Sequence, residues 1–283
     1  MAAVIEAMSR VFDRKTKRLR RLGATPHAPQ NDLLSLLASE AQKIAKEFLS
    51  ILIRAVDYCP PVDIRFGDFL RAMITADNVT VPEDPWGYRE ALVWAFRRYG
   101  VRVDNVADLS EESLLWQPPE RPLPAVKGLA FDELVHRFEP GWPTTRDERL
   151  RRGKALGDYI TAGRHEFFGV VPGNARARIE PPVIQSVRSL RRLSPDQDLG
   201  FHVVAEVSQR RRTKAGHWFH GGSTVIIDEE GVPRYVIGKG VMSKGREGEM
   251  GKFLQTARAE YRRAARGDRG ARRELIRHLH ADR

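Results

Sequence analysis

Eight histidines (27, 136, 165, 202, 217, 220, 278 and 280), one cysteine and several paired carboxylates are the residues of this chain best suited to chemistry. A zinc hydrolase helix needs two histidines four residues apart with a glutamate after the first. His165-Glu166 is followed by Phe167-Phe168-Gly169, so that motif is incomplete. His217 and His220 are three apart in a segment that reads as strand or hairpin, where odd spacing sends them to opposite faces. His278 and His280, two apart on a helix, diverge by about 200°. All eight read as solvent-facing or hydrogen-bonded, and no metal or cofactor site is expected. Cys59, just before Pro60 at the end of an apolar helix, reads as a packing residue rather than a nucleophile. No GxSxG elbow occurs. Gly221-Gly222-Ser223 precedes a strand instead of opening a helix, which suits a close backbone approach or a bulge, not a phosphate loop. The pairs Asp57/Asp63, Asp68/Asp77 and Glu111/Glu112 lie near helix starts or between helices, where capping accounts for them. No catalytic residue is assigned.

What remains is positive charge. Arg210-Arg211-Arg212-Thr213-Lys214 reads as a hairpin tip followed by Trp218-Phe219, and cations beside an aromatic ring can hold phosphates and stack a base. Arg210, Arg211, Arg212, Lys214 and Trp218 are therefore the candidate polyanion-binding residues. Lys15, Lys17, Arg18, Arg20 and Arg21 form a second basic run, although a solvated charged surface is the readier explanation of both runs. The net charge of +11 is unevenly spread: residues 1–122 hold 17 basic and 17 acidic side chains, so residues 123–283 carry all of it.

The elements that must position these residues change character along the chain. Leu33, Leu36, Leu37, Ile44, Phe48, Leu52 and Ala55 recur three to four apart behind the capping pair Asn31-Asp32, which predicts a helix ending at Pro60-Pro61. A second helix is predicted after Asp63, and a third from Gly87 to Tyr99 with Gly100 as its stop. Four prolines between Pro118 and Pro124 mark a semi-extended linker. Beyond it a basic helix is predicted from Thr144 to about Ala162. The period then shortens to two: Phe201, Val203, Ala205 and Val207 alternate, Ser223–Asp228 and Arg234–Gly238 read as further strands, and Val183–Leu193 as a weaker one. Short turns between them require an antiparallel meander. Two closing helices carry Phe253, Leu254, Ala257, Tyr261 and Ala264, and Leu275, Ile276 and Leu279. The expected class is α+β, with a helical domain over 1–116, a Pro-rich linker over 117–124, and a basic domain over 125–283 whose antiparallel sheet spans about 183–241.

One cysteine excludes a disulfide framework and a thiolate zinc cage. No run approaches 18 uncharged apolar residues and Met1–Met8 has no basic n-region, so neither a membrane nor a secretory route is expected and the chain is placed in the cytoplasm.

The helical block resembles the C-terminal helical domain of thermolysin-like (gluzincin) zinc metallopeptidases. Residues 48–101 carry the likeness through Ile53-Arg54-Ala55, Tyr58, Pro61, Phe66, Leu70-Arg71-Ala72, Ala76-Asp77, Ala91, Ala95-Phe96 and Gly100-Val101. A looser likeness to uncharacterised bacterial peptidase-like proteins extends over Phe219–Asp228 and Arg234–Ile237. The resemblance implies that the HExxH helix, the glutamate ligand and the transition-state histidine precede the helix corresponding to Met1–Phe12, so none can be carried over. It further implies that the helices form a wall that packs on a zinc-binding domain. The expected function is thus a non-catalytic C-terminal-type module that associates with a peptidase-like core or another protein. The alternative is binding of a polyanion, such as single-stranded nucleic acid, through the basic half. A third reading, an enzyme using Tyr, Asp and Arg in a cleft between the halves, stays open.

Overall fold

A computed structural model describes residues 2–23, 30–134, 144–193 and 199–265. Its elements run α1 (Ala2–Gly23), α2 (Gln30–Val56), α3 (Phe66–Thr80), α4 (Tyr88–Arg98), α5 (Glu111–Leu114), α6 (Arg146–Thr161), β1 (Val183–Leu193), β2 (Leu199–Arg212), β3 (Trp218–Ile227), β4 (Pro233–Lys239) and α7 (Lys244–Ala265). Single 3-10 turns occupy Phe131–Glu133 and His165–Phe168. The fold is α+β. The predicted helix around Leu275, Ile276 and Leu279, and with it His278 and His280, lies outside the described residues, as do His27 and His136.

Local chemistry sets the helix ends. Asn31 and Asp32 sit inside the first turn of α2 rather than before it. Asp68 accepts the Arg65 N–H at 2.8 Å and starts α3. Asp84 accepts the N–H groups of Tyr88 and Arg89 at 2.7 and 2.9 Å and starts α4. Gly100, at φ +71°, supplies the left-handed residue that stops α4, with the Val101 N–H returning to the Phe96 carbonyl. Thr145 caps α6 through the Glu148 N–H.

The four strands form one antiparallel sheet in the order β1-β2-β3-β4, and both of its faces are covered. Phe201, Val203, Ala205 and Val207 share a face, as their alternation predicts, and pack with Val187, Val225 and Ile227 against Leu156, Ile160 and Phe168. Leu123, Val126 and Leu129 at the end of the Pro-rich segment join the same core, where the Tyr159 hydroxyl donates to the Pro124 carbonyl at 2.7 Å. The opposite face contributes Val204, Ile226 and Ile237 to the core of α1–α5. The helices of 1–116 therefore lie directly on the sheet. Thr224 donates to the Cys59 carbonyl at 2.6 Å across that seam, and Lys239 pairs with Asp68 at 2.6 Å.

Gly221 and Gly222 sit where β3 meets other backbone at close range. A Cβ on Gly221 would lie 2.3 Å from the Val241 nitrogen, and one on Gly222 2.0 Å from the Val207 oxygen. Close approach is their role.

Candidate functional site

β2 extends through Arg212, so the three arginines are strand residues rather than a hairpin tip. They pair in register with His220, Phe219 and Trp218. Strand parity then separates them: Arg210 and Arg212 share one face and Arg211 points to the other. Arg211 is only 9% exposed. Its guanidinium donates to the Val241 carbonyl at 2.8 Å and to Glu247 at 2.6 Å, tying β2 to the first turn of α7. Arg246 completes that tie through Asp63 and the carbonyls of Gly240 and His220, and Arg65 joins α7 through Glu249.

On the outer face, Arg210 and Arg212 stack on Trp218 with guanidinium carbons 4.4 and 4.1 Å from the ring centroid. Arg210 is also paired with Glu180 at 2.6 Å, and Arg212 donates to the Gly216 carbonyl. Arg178, at φ +53°, lines an open depression of about 790 Å³ with Asn174, Arg212 and Trp218. Lys214 is exposed in the turn beyond β2. The structure thus brings Arg210, Arg212 and Trp218 together, adds Arg178, and directs Arg211 inward.

A second concave region lies within the helical block. Lys15, Glu47, Arg54, Asp77, Trp86 and Tyr88 line a cleft of about 380 Å³ between α1, α2, α3 and the start of α4. Lys15 reaches Glu47 at 3.1 Å and Glu40 at 3.7 Å, and the Tyr88 hydroxyl donates to Glu47. Burial and the Glu47 carboxylate raise the Tyr88 phenol well above its ordinary range. Asp77 is no helix cap. It lies buried against Arg89 at 2.9 Å, and desolvation pushes it up to about 6 despite that cation. Arg89 also holds Glu111 at 2.6 Å and the carbonyls of Val81 and Pro82, both at 2.7 Å. Lys15, Tyr88 and Asp77 are thus each engaged by a neighbour, and the cleft floor acts as a brace joining the helices. Burial likewise pushes the Cys59 thiol up to about 12, which removes the thiolate from neutral chemistry. Among the described residues no three His, Cys, Asp or Glu side chains are grouped to hold a metal ion. No helix among them is long and apolar enough to cross a membrane.

The surface that the spacing argument missed is the outer side of α2. The predicted stripe holds at Ile44, Phe48 and Ala55, which are buried, but Leu36 stands exposed. Beside that stripe runs a second one. Leu34 (63%), Leu49 (55%), Ile53 (62%) and Val56 (61%) are open to solvent, with Ala38, Ala41 and Ala45 exposed between them. Together the two stripes make an apolar arc about 200° wide at 100° per residue, wider than contact with one layer requires. That width was the available signal.

Comparison with known proteins adds no neighbour to this geometry: no protein-family model, no curated protein and no solved structure matches the chain.

Proposed function

We propose that this chain is a non-catalytic association module, which binds another polypeptide through the outer face of α2. The observation that carries the reading is the line of exposed aliphatic side chains at Leu34, Leu49, Ile53 and Val56 on one side of a 27-residue helix. Scattered apolar residues on a surface need no explanation, but an aligned row several turns long marks an interaction site. The resemblance of residues 48–101 to the helical domain of thermolysin-like peptidases, a domain that packs on another, agrees with this reading. So do the internal partners found for Asp77, Tyr88 and Cys59. A peptidase-like core or another protein is the partner class.

A photo-crosslinking residue at position 53 tests it in the cells that make the protein. A discrete covalent adduct from position 53, absent when the same residue replaces Lys43, about 80° round the helix and outside the exposed row, is the expected result. No adduct from position 53 would overturn the reading.

A second reading rests on a separate observation, the convergence of Arg178, Arg212 and Trp218 on one open depression. It assigns a polyanion to the outer face of β2. Fluorescence anisotropy with a single-stranded oligonucleotide should then show binding that weakens with salt at a log–log slope of about −0.7 per phosphate contacted. Absence of binding at low salt would reject it.

A further inference from the structure

The cleft within the helical block holds one cation that no anion of the chain answers. Glu47, Ser50, Ile51 and Arg54 form its α2 wall. They fall within about 100° of one another round the helix, on the side opposite Leu49, Ile53 and Val56. Glu47 accepts from Lys15 and Tyr88, and Ile51 is buried. Ser50 and Arg54, one turn apart and half-buried, differ from these. Among the described residues no hydrogen bond or ion pair engages either side chain. A positive charge at position 54 suits the C-terminal end of α2, but a helix dipole leaves the guanidinium donors unfilled.

The opposite wall is already fixed. Arg89 holds the carbonyls of Val81 and Pro82, and Asp84 caps α4. Arg14 donates to the carbonyls of Trp86 and Gly87, both at 3.2 Å. A wall held this way needs no ordering when a ligand arrives, which lowers the cost of binding. It presents Val81, Pro85 and Trp86 to the cleft, and the Trp86 side chain stands open to solvent. The cleft volume of about 380 Å³ is that of a small-molecule site, and so is its makeup of apolar walls with a few placed polar groups.

Charge selects the ligand. Lys15 is matched by Glu47 and Asp77 by Arg89, while both oxygens of Asp84 are taken by backbone N–H groups. Arg54 is left with room for a single negative charge. A carboxylate fits a guanidinium fork with two parallel hydrogen bonds, and the Ser50 hydroxyl is its neighbour on the helix surface. A phosphate dianion would bring more charge than Arg54 answers, close to Glu47, Asp77 and Asp84. We infer that this cleft binds a small organic monocarboxylate, with the carboxylate on Arg54 and Ser50 and an apolar body against Ile51, Pro85 and Trp86. The site is separate from the exposed row on α2 and from the basic face of β2, and it requires no catalysis.

Phenylacetate is the probe, added to the isotope-labelled full chain and followed by amide and indole N–H resonances. The Trp86 indole signal, identified by its loss in Trp86→Phe, and the backbone amides around Arg54 should shift saturably with a dissociation constant in the millimolar range. Phenylacetamide, which has the same shape without the charge, should bind at least about tenfold more weakly, and so should phenylacetate to Arg54→Gln. Arg178→Ala should leave binding unchanged. The comparison of acid with amide uses the unaltered chain, so it does not depend on the folding of a variant. No saturable shift in the cleft, or equal affinity for acid and amide, would overturn the inference. Loss of binding in Arg178→Ala but not in Arg54→Gln would also overturn it, by moving the site to β2. Inorganic phosphate that shifts the same signals as tightly as phenylacetate would overturn the monocarboxylate class.

Discussion

Asp77 and Arg89 form an ion pair at 2.9 Å inside the helical block, with both side chains less than a tenth exposed. Burial pushes the Asp77 carboxyl up to about 6 from its ordinary 3.8, because loss of water outweighs the neighbouring cation. Below the lower value the carboxyl is protonated whether folded or not, and folding carries no ionisation cost. Between the two values the unfolded chain releases its proton first, so the contribution of Asp77 to stability falls as pH rises from about 4 to about 6 and is level above. Urea unfolding across that window should show the wild type losing more stability than Asp77→Asn. Arg89→Met strands the carboxylate without its cation and should cost about 3–5 kcal/mol at neutral pH, the usual penalty for half of a buried pair.

Arg210 and Arg211 are adjacent in sequence and opposite in consequence. Arg211→Ala removes the hydrogen bonds to Val241 and Glu247 that seat α7. It should cost about 1–3 kcal/mol, since Glu247 remains partly in water, and should speed amide exchange over the first turns of α7. Arg210→Ala loses an exposed, solvent-screened pair with Glu180 and should leave stability nearly unchanged. Equal effects of the two changes on α7 exchange would contradict the inward placement of Arg211.

The local patterns were legible because their causes are local. The alternation of Phe201, Val203, Ala205 and Val207 reports a strand face, and Gly100 and Asp68 report helix ends. The second face of the sheet was not read. Val204, Ile226 and Ile237 also reach a core, so β2 and β3 are covered on both sides, and an unbroken apolar run such as Val203-Val204-Ala205 is the sign of that. Asp77 looked like one more carboxylate between helices because its partner, Arg89, sits on another helix. Three consecutive arginines gave no hint that the middle one turns inward, since that depends on where Val241 and Glu247 dock. On α2 one stripe accounted for the core and concealed the other, because periodicity locates apolar residues without saying which of them have something to touch.

Gly221 tests the close approach of β3 to the segment after β4. An added methyl at this position would stand 2.3 Å from the Val241 nitrogen and 2.4 Å from its Cα, both backbone atoms that cannot swing aside. Gly221→Ala should therefore cost about 1–3 kcal/mol by forcing Val241 outward. The displacement should also weaken the Arg211 bond to the Val241 carbonyl, so the pair Gly221→Ala and Arg211→Ala should be less than additive in a double-mutant cycle. Full additivity would mean that the two residues do not act on the same segment.

Cys59 reports on the seam between the helices and the sheet. Its thiol donates to the Ala55 carbonyl at 3.3 Å, while its own carbonyl accepts from Thr224 across the seam. With the thiol pushed up to about 12, only about one molecule in ten thousand carries a thiolate at pH 8, and the side chain is buried besides. Alkylation of the native protein should be far slower than that of a free cysteine and should rise to the ordinary rate on full unfolding. Thr224→Val removes the hydroxyl that bonds the Cys59 carbonyl while keeping the shape. It should raise the native labelling rate by about tenfold or more if opening of this seam is what exposes the thiol, each 1.4 kcal/mol lost from the opening equilibrium being one factor of ten. An unchanged rate would place the opening elsewhere, in the packing of the helical block around Tyr58 and Met73 rather than at the sheet.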